Sequence, residues 1–260
     1  MTALNDTTLF STVAREYATF RPGYPPELFA WLARICAARD AAWDCGCGSG
    51  QASIALAGHF AQVIATDVSS AQIDEATPHP AVVYRVASAQ HSGLVDASVD
   101  LVTVAQALHW FDVEAFHAEA RRVMRPRALL AAWTYPRPVF DDPVLDRVFL
   151  DFYANVVGPY WPPERRHVEA HYRTLPAPPA ELGFEEIPSP EFALQLRWGF
   201  EQVIGYVSSW SATARYRKQK GTDPVPLLRQ ALAPLWSGTA TSTVALRMPL
   251  VLRVARLSGS

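Results

Sequence analysis

The sequence predicts an α/β fold in which a mostly parallel sheet carries helices on both faces. Short apolar runs alternate with amphipathic segments from residue 41 to residue 135, as expected for strands that are joined by right-handed helical crossovers. Half of the 260 residues are hydrophobic. A chain of this length and composition is able to bury one large core, or one core with a lid.

Each predicted strand is a short apolar run. The parallel strands are predicted over 41–44, 62–67, 81–86, 99–104 and 128–133. After Tyr135 the alternation of strands and helices ends. We expect a return strand over about 185–196 and a last strand over 243–257. Pro249 indicates a bulge or an edge position in the last strand, because proline cannot donate a hydrogen bond to a neighbouring strand.

Helical spacing of apolar residues marks the segments between the strands. In 27–38, for example, Leu28, Trp31, Leu32 and Ile35 recur at the period of a helix. We predict further helices over 51–58, 70–76, 113–124, 141–157, 164–174, 200–216 and 224–236, and an N-terminal helical segment over 6–39 that is interrupted at 21–26.

A glycine-rich segment joins the first strand to the helix that follows it. It reads Asp44-Cys45-Gly46-Cys47-Gly48-Ser49-Gly50, and Asp67 ends the second strand. Glycine allows a sharp turn of the backbone and the close approach of a ligand. A carboxylate after the second strand is able to accept hydrogen bonds from both hydroxyls of a ribose. This order of strand, glycine loop, helix, strand and acidic residue predicts a nucleoside pocket at the edge of the sheet.

The spacing of the glycines distinguishes between two kinds of nucleoside ligand. A dinucleotide-binding loop has the pattern G-x-G-x-x-G, whereas here the third glycine is Gly50 and Gln51 follows it. Asp44 would repel a diphosphate, but it suits a ligand that carries an ammonium group. S-adenosylmethionine has an ammonium group, a sulfonium and a ribose diol, and it has no phosphate. We therefore expect this cofactor.

The same segment resembles the E/D-x-G-x-G-x-G loop of class I S-adenosylmethionine-dependent methyltransferases. Residues 95–102 and 122–130 are similar to later segments of that family, although both glycines of the second segment are replaced here. Residues 17–25 and 105–111 resemble the subgroup that includes trans-aconitate methyltransferases and many type 11 small-molecule enzymes. The resemblance covers residues 10–135 well and the remainder only loosely.

The resemblance implies a Rossmann-like, seven-stranded sheet with an antiparallel last strand, in a single domain over 1–260. Its parts are a helical cap (1–40), a cofactor-binding core (41–135), helical lid insertions (136–182 and 198–241) and C-terminal strands (183–197 and 243–257). It also implies in-line methyl transfer to a small molecule, such as a carboxylate or a secondary metabolite, with S-adenosylhomocysteine as the product.

Residues that match the family's cofactor contacts lie in the loops after the strands. The glycines are expected beneath the methionine and ribose portions, Asp67 at the ribose diol and Val68 against adenine. Ser88 stands where relatives usually have aspartate. The resemblance implies cofactor contacts for Tyr17, Arg21, Asp44, Gly46, Gly48, Gly50, Gln51, Asp67, Val68, Ser88, Ala89, Ala105 and Gln106.

The amino acid portion of the cofactor has its own expected partners. Asp44 faces the ammonium region, and the backbone around Ala105 and Gln106 offers a carbonyl oxygen to the same group. Arg21 pairs with the cofactor carboxylate, and Tyr17 closes over it. For Arg21, a surface or helix-end position without a ligand is the alternative.

His109 and Tyr17 are the candidate catalytic residues. His109 follows the fourth strand, where the acceptor is expected to enter, and it would act as a general base or orient the substrate. A purely structural hydrogen bond at a helix start is the alternative for His109. Trp110 is expected to form a wall of the pocket. Trp210, in a segment that resembles the family, completes the candidate substrate contacts with His109 and Trp110.

Composition and charge set further expectations. A net charge of -2 argues against a nucleic-acid surface, which normally carries a basic excess. The three cysteines are too few for a disulfide framework or a zinc site, so no metal is expected. No apolar run approaches a membrane span and no signal pattern is present. We therefore expect a cytoplasmic monomer or homodimer that does not bind membranes.

Two other functions stay open. A protein that binds S-adenosylmethionine without turnover would carry the same loop. A nicotinamide-dependent oxidoreductase would have a third glycine at position 51, where Gln51 stands. The acceptor atom also stays open between oxygen, nitrogen, sulfur and carbon, with a slight preference for a small carboxylate by analogy with the subgroup.

Overall fold

A computed structural model describes residues 22–236 and 242–259, and the chain divides into two compact units. We call the unit that holds 23–136, 166–192 and 249–259 the core unit. The other, which we call the insertion unit, holds 22, 137–165, 193–236 and 242–248 of the described residues. Tyr17, Arg21 and residues 6–21 of the predicted N-terminal helical segment lie outside the described residues. The division into one domain with lid insertions stays a prediction.

Five parallel strands form the centre of the core unit. They are β1 (Ala41–Cys45), β2 (Gln62–Asp67), β3 (Val82–Val86), β4 (Val99–Ala105) and β5 (Met124–Thr134). Their order in the sheet is β3-β2-β1-β4-β5, and each neighbouring pair is parallel. Every residue of β1 is buried, which agrees with an apolar strand that is covered on both faces. The predicted parallel strands are therefore confirmed.

Two antiparallel strands complete the sheet of the core unit. The end of β9 (Thr243–Leu257) pairs with β5 on one side and with β7 (Phe184–Ile187) on the other. The core unit thus has seven strands in the order β3-β2-β1-β4-β5-β9-β7 among the described residues. The predicted antiparallel last strand is confirmed.

The return strand predicted over 185–196 is wrong in its extent. The structure has two strands there, β7 and β8 (Phe192–Gly199), and both pair with β9. Pro188 and Pro190 lie between them. Neither proline can donate a ladder hydrogen bond, so the pairing is interrupted at this point.

The core unit contains five α-helices among the described residues, and three of them join consecutive parallel strands. The five are α1 (Pro26–Ile35), α2 (Gln51–Ala57), α3 (Ser70–Asp74), α4 (Val113–Val123) and α6 (Arg165–Glu169), of which α6 begins at the boundary of the unit. Asp112 caps α4, since its Oδ1 accepts a hydrogen bond from the N–H of Ala115 at 3.2 Å. Phe116 on α4 packs on Trp43 of β1, with ring centroids 6.1 Å apart. The predicted helix over 164–174 is shorter than expected.

The insertion unit is mostly helical. It contains β6 (Val139–Phe140), α5 (Pro143–Asp151), α7 (Phe200–Ser208), α8 (Ser211–Lys220), α9 (Val225–Leu232), nearly all of β8 and the beginning of β9. The helix predicted over 200–216 is divided at Ser209 and Trp210. Trp210 packs edge-on against Phe149, Tyr153 and Tyr206 at 5.5–5.6 Å between ring centroids, so the break serves an aromatic core.

A helix that crosses a membrane has to be both long and apolar. In the part of the chain that the structure describes, no helix meets both requirements.

Candidate functional site

The glycine-rich segment forms a tight loop between β1 and α2. Gly46, Gly48 and Gly50 have φ angles of +70°, +55° and +89°, in the left-handed region that favours glycine. The N–H groups of Gly46 and Cys47 donate to the carbonyl oxygen of Thr66 on β2, at 2.8 and 3.0 Å. The loop is therefore fixed to the strand that carries Asp67.

The three glycines differ in what surrounds them. A Cβ atom on Gly46 would lie 2.7 Å from Cβ of Ala107, and one on Gly50 would overlap the phenol of Tyr84. Among residues 22–236 and 242–259, a Cβ atom on Gly48 would meet only Oε1 of Gln72, at an ordinary 3.7 Å. Gly46 and Gly50 are thus required by packing within the protein. The described residues leave space beside the backbone of Gly48, where a ligand is able to approach.

Asp67 lies at the carboxyl end of β2, next to this open position. Its Oδ2 accepts the N–H of Gly48 and its Oδ1 accepts the N–H of Ser69, both at 2.9 Å. Burial raises the pKa of Asp67, while the N–H groups of Ser69, Gly48 and Val68 oppose that rise. The two hydrogen bonds from Gly48 and Ser69 take one acceptor site of each carboxylate oxygen, and a carboxylate has about four such sites. The side chain is therefore held in place and is still able to accept two hydroxyl groups.

Apolar side chains border Asp67 on the exposed side. Val68 is 54% exposed and Val86, at the end of the neighbouring β3, is 58% exposed. Ser88 and Ala89 follow shortly after Val86, and Oγ of Ser88 accepts the N–H of His91 at 3.1 Å. An exposed valine beside an anchored carboxylate offers a flat aromatic ring an apolar surface.

Asp44 has a different position from the one expected for an ammonium partner. Its side chain is fully buried, with Oδ2 accepting from Oγ of Ser53 at 2.6 Å and Oδ1 from Oγ1 of Thr103 at 2.9 Å. Burial raises its pKa to about 6, and the bonds from Ser53 and Thr103 oppose that rise. The carboxylate thus ties together β1, α2 and β4 beneath the glycine loop.

Sequence reasoning missed Ser53, Thr103 and Tyr84, which hold this loop in shape. Thr103 pairs with Asp44 across the two strands and is a polar residue inside a wholly buried stretch of β4. That combination is a signal that the sequence offers. The close approach of Tyr84 to Gly50 depends on tertiary packing and is not visible in the local sequence pattern.

Gln106 begins the loop that follows β4. Its φ angle is +57°, a conformation that few residues other than glycine adopt. Its Nε2 donates to the carbonyl oxygen of Tyr135 at 3.0 Å, and its Oε1 accepts from the hydroxyl of Thr134. The side chain is thereby fixed to the end of β5. The backbone of Ala105 and Gln106 turns sharply at the carboxyl edge of the sheet.

His109 and Trp110 lie on a short helical turn after Gln106, and their ring centroids are 4.9 Å apart. Nδ1 of His109 lies 3.1 Å from the hydroxyl oxygen of Tyr172, a hydrogen-bonding distance. Sequence reasoning missed Tyr172, since its segment was predicted only as a helix over 164–174. The loop that carries His109 packs on the glycine loop through Ala107, the nearest neighbour of Gly46.

The structure thus brings together most of the predicted cofactor residues at one edge of the sheet. The glycine loop, Asp67, Val68, Ser88, Ala89 and the 105–110 segment all follow the carboxyl ends of β1 to β4. Gln51 opens α2, where its Nε2 donates to Oγ of Ser49 at 3.1 Å. Trp210 belongs to the insertion unit and is buried in its aromatic core.

Cys45 and Cys47 flank Gly46 as free thiols. Both side chains are buried, and burial raises the pKa of each thiol, with the carboxylates of Asp44 and Asp67 adding to the effect. Within residues 22–236 and 242–259, no group of three or more His, Cys, Asp or Glu side chains is arranged to hold a metal ion.

These residues fit a nucleoside that carries no phosphate. A glycine with open space, an anchored carboxylate and an exposed apolar side chain suit a ribose and its base. The residue after the third glycine is Gln51, whose side chain is bonded to the loop itself. Two carboxylates, Asp44 and Asp67, lie at or beneath the loop, which disfavours a pyrophosphate there.

Comparisons with known proteins agree with this geometry. A family model described as a methyltransferase domain matches residues 43–132. A provisionally named methyltransferase of Dictyostelium discoideum is 33% identical over 233 residues, which are 88% of this chain and 87% of that protein. An uncharacterised methyltransferase of Mycobacterium tuberculosis is 36% identical over 118 residues, which are 45% of this chain and 48% of that protein.

A solved structure extends the similarity to nearly the whole chain. It belongs to a provisionally named type II methyltransferase from Anaeromyxobacter dehalogenans, which is 44% identical and superposes with a TM-score of 0.83. The match covers 93% of this chain and 100% of that chain. The sheet order, the glycine loop and these relatives together show that the chain belongs to the class I S-adenosylmethionine-dependent methyltransferases.

Proposed function

We propose that this methyltransferase acts on a small-molecule acceptor that binds beside the loop after β4. The observation that carries the proposal is the arrangement around Asp67. Its carboxylate is anchored on the N–H of Gly48, and the residues that the structure describes leave space beside Gly48. Val68 continues this surface with an exposed apolar side chain. A nucleoside part of the cofactor at this position leaves His109 and Trp110, further along the loop after β4, to the acceptor.

Asp67, Val68 and Ser88 are the proposed partners of the adenosine portion. Asp67 would accept hydrogen bonds from the ribose hydroxyls, because the hydrogen bonds from Gly48 and Ser69 take two of the roughly four acceptor sites of its carboxylate. Val68 would pack on the adenine ring. Ala89 would contribute its N–H, and Ser88 its hydroxyl, to the edge of the base.

The methionine portion would lie along the glycine loop and the turn after β4. The backbone of Ala105 and Gln106 would present a carbonyl oxygen to the ammonium group. Asp44 is buried beneath the loop and would act on that group through its charge rather than by direct contact. Tyr17 and Arg21, which lie outside the described residues, stay proposed partners of the cofactor carboxylate.

S-adenosylmethionine supplies a methyl group on a sulfonium, from which the sulfur leaves as a neutral thioether. A protein therefore needs no acid for the leaving group. It has to align the acceptor, exclude water and, for a hydroxyl or ammonium acceptor, remove a proton. His109 is the proposed proton acceptor or orienting group, and Trp110, 4.9 Å from it, is the proposed wall of the acceptor pocket.

Calorimetry tests the cofactor side of the proposal. The full chain is titrated with S-adenosylhomocysteine and, separately, with NAD. S-adenosylhomocysteine is expected to bind and NAD is not, because Gln51 replaces the third glycine and carboxylates lie at the loop. Binding of NAD with no binding of S-adenosylhomocysteine would contradict the proposal.

A labelled-methyl assay tests the acceptor side. The chain is incubated with methyl-labelled S-adenosylmethionine and, in separate reactions, small carboxylic acids, hydroxylated aromatic compounds and amines. Transfer to one of these classes is expected, and His109→Gln is expected to lower it by about a hundredfold while the affinity for S-adenosylhomocysteine changes little. Full transfer in His109→Gln would assign His109 a structural role. Tight cofactor binding without transfer to any class would favour a protein that binds S-adenosylmethionine without turnover.

A further inference from the structure

Tyr172 is a fully buried tyrosine of the core unit whose hydroxyl group reaches the candidate catalytic histidine. Its side chain has a relative exposure of 0%. Its hydroxyl oxygen lies 3.1 Å from Nδ1 of His109, and the two ring centroids are 6.0 Å apart. The two residues are 63 positions apart in the sequence, so the contact depends on the tertiary fold. A tyrosine hydroxyl in such an environment has a polar partner as a rule, and His109 is one here.

The backbone at Tyr172 has an uncommon conformation. His171 and Tyr172 have φ angles of +55° and +58°, so two consecutive residues other than glycine are in the left-handed region. Residues persist there only when the surrounding structure holds them. The N–H of Tyr172 donates to the carbonyl oxygen of His167 at 2.8 Å, and the N–H of His171 donates to that of Val168 at 2.9 Å. The turn is therefore closed on the preceding helix.

Arg253 on β9 holds the other side of this turn. Its Nη1 donates to the carbonyl oxygen of Tyr172 at 3.1 Å and to that of Leu175 at 3.2 Å. Burial lowers the pKa of Arg253, and the charge of Glu186 opposes that change. One guanidinium thus fixes two carbonyl groups of the turn. The backbone of Tyr172 is thus held by α6 on one side and by β9 on the other, and its fully buried ring has little freedom to move away from His109.

A hydrogen bond at one nitrogen of an imidazole determines whether the other nitrogen carries a proton. The bond at Nδ1 sets the ring orientation and selects the tautomer, and it leaves Nε2 at the opposite edge of the ring. We propose that Tyr172 is a positioning residue, which acts through His109 by fixing its ring orientation and its tautomer. This inference rests on the proposed function of His109. Arg253 and the left-handed turn support Tyr172 in that role.

Nuclear magnetic resonance of the histidine ring nitrogens tests the inference without any methyl acceptor. The full chain is labelled with nitrogen-15 on its histidines and saturated with S-adenosylhomocysteine, and the His109 signals are identified by their loss in His109→Gln. Tyr172→Phe removes only the hydroxyl group. It is expected to change the Nδ1 and Nε2 shifts of His109 toward a mixture of tautomers. Tyr160→Phe, which removes a hydroxyl from the insertion unit, is the matched control and is expected to leave them unchanged.

Unchanged His109 signals in Tyr172→Phe would overturn the inference. If Tyr172→Phe does not fold, Arg253→Lys provides the same test, since it keeps the hydroxyl group but cannot hold both carbonyl groups with a planar guanidinium. It is expected to move the same His109 signals, and unchanged signals would again overturn the inference.

A double-mutant cycle separates this inference from the proposed function, once the labelled-methyl assay has identified an acceptor. Tyr172→Phe is expected to lower kcat by about tenfold to a hundredfold with little change in the affinity for S-adenosylhomocysteine. In a His109→Gln background the same change is expected to have almost no further effect. Additive losses would contradict the positioning role while leaving that of His109 intact. Full activity of His109→Gln would instead contradict the proposed role of His109 in catalysis, whatever the spectra of Tyr172→Phe.

Discussion

Asp67 combines two tasks at the scale of a single residue. Its carboxylate accepts the N–H groups of Gly48 and Ser69 and so holds the loop on which a ligand would lie. The same two oxygens are the proposed acceptors for the ribose hydroxyls. Hydrogen bonds to charged groups contribute about 1.5–3 kcal/mol each. Asp67 is therefore the residue whose loss is expected to lower the affinity for the cofactor most.

Asp67→Ala is expected to lower the affinity for S-adenosylhomocysteine by at least about tenfold, because even one charge-assisted hydrogen bond corresponds to that ratio. Calorimetry measures the affinity. Asp74→Ala, an exposed aspartate on the neighbouring α3, is the matched control and is expected to bind normally. Unchanged affinity in Asp67→Ala would remove the ribose-binding role.

Asp44 shows how burial reverses the usual effect of a carboxylate on stability. Burial raises its pKa from 3.8 to about 6, so the folded chain binds the proton more tightly than the unfolded chain. The ionised side chain thus lowers the free energy of unfolding at neutral pH. That cost is full above about pH 6, and it disappears as the pH falls toward 4.

Asp44→Asn cannot titrate and should lack this dependence. The free energy of unfolding of the natural chain, minus that of Asp44→Asn, is expected to increase by up to about 3 kcal/mol between pH 7 and pH 4. Urea denaturation at the two pH values measures the difference. Asp74→Asn is the exposed control. A difference that stays constant with pH would show that Asp44 has no raised pKa in the folded chain.

At the scale of elements, the glycines of the loop between β1 and α2 serve two purposes: close packing inside the protein and space for a ligand. Gly50 adjoins the phenol of Tyr84, whereas the described part of the chain leaves space beside Gly48. All three glycines have positive φ angles. An alanine at Gly48 or Gly50 therefore meets similar backbone strain, and only the one at Gly50 meets a side chain as well.

Gly50→Ala is expected to lower the free energy of unfolding by about 1–3 kcal/mol more than Gly48→Ala, which is the usual cost of overpacking. Gly48→Ala is expected to weaken the binding of S-adenosylhomocysteine more than it lowers stability. Urea denaturation and calorimetry on the pair measure both effects. Equal stability of the two variants, with normal binding by Gly48→Ala, would contradict this division.

Helices and strands were predictable from the sequence where the local pattern of apolar residues matches their packing in the fold. Four of the parallel strands and the last strand were predicted to within one residue of their bounds, because each is an apolar run. The fifth strand, predicted over 128–133, begins earlier, at Met124. The return strand was predicted as one strand, since Pro188 and Pro190 were given too little weight. The short β6 was missed, because two residues carry no measurable period.

The candidate site was predictable to the same degree. The glycine loop and Asp67 come from a contiguous motif, which the sequence displays directly. The partners of Asp44 and of His109 do not belong to such a motif. Thr103 and Tyr172 reach them across the fold from 59 and 63 residues away in the sequence. Local pattern gives no information on which distant polar group meets a buried one.

At the scale of the whole molecule, the strand order places the candidate site. The order β3-β2-β1-β4 reverses at β1, where successive crossovers leave in opposite directions. Ligands of open α/β sheets bind in the crevice at the carboxyl ends of the strands beside such a reversal. The glycine loop follows β1 and the His109 loop follows β4, so both flank that crevice.

S-adenosylhomocysteine is expected to stabilise the folded chain as a whole. A ligand at a hundred times its dissociation constant adds about 2.7 kcal/mol to the free energy of unfolding. For a chain of this size that corresponds to a rise of about 5–10 °C in Tm. Thermal denaturation with and without the ligand measures the rise, and NAD at the same concentration is the control. No rise with S-adenosylhomocysteine would contradict the assigned pocket.

The buried cysteines beside the glycine loop have a consequence for an enzyme that handles an alkylating agent. A thiol reacts with electrophiles as its thiolate, and burial raises the pKa of both Cys45 and Cys47. The two sulfur atoms therefore stay protonated and poorly nucleophilic at neutral pH. Small side chains that pack well thus flank Gly46 in the glycine loop without offering a reactive thiolate to an alkylating cofactor.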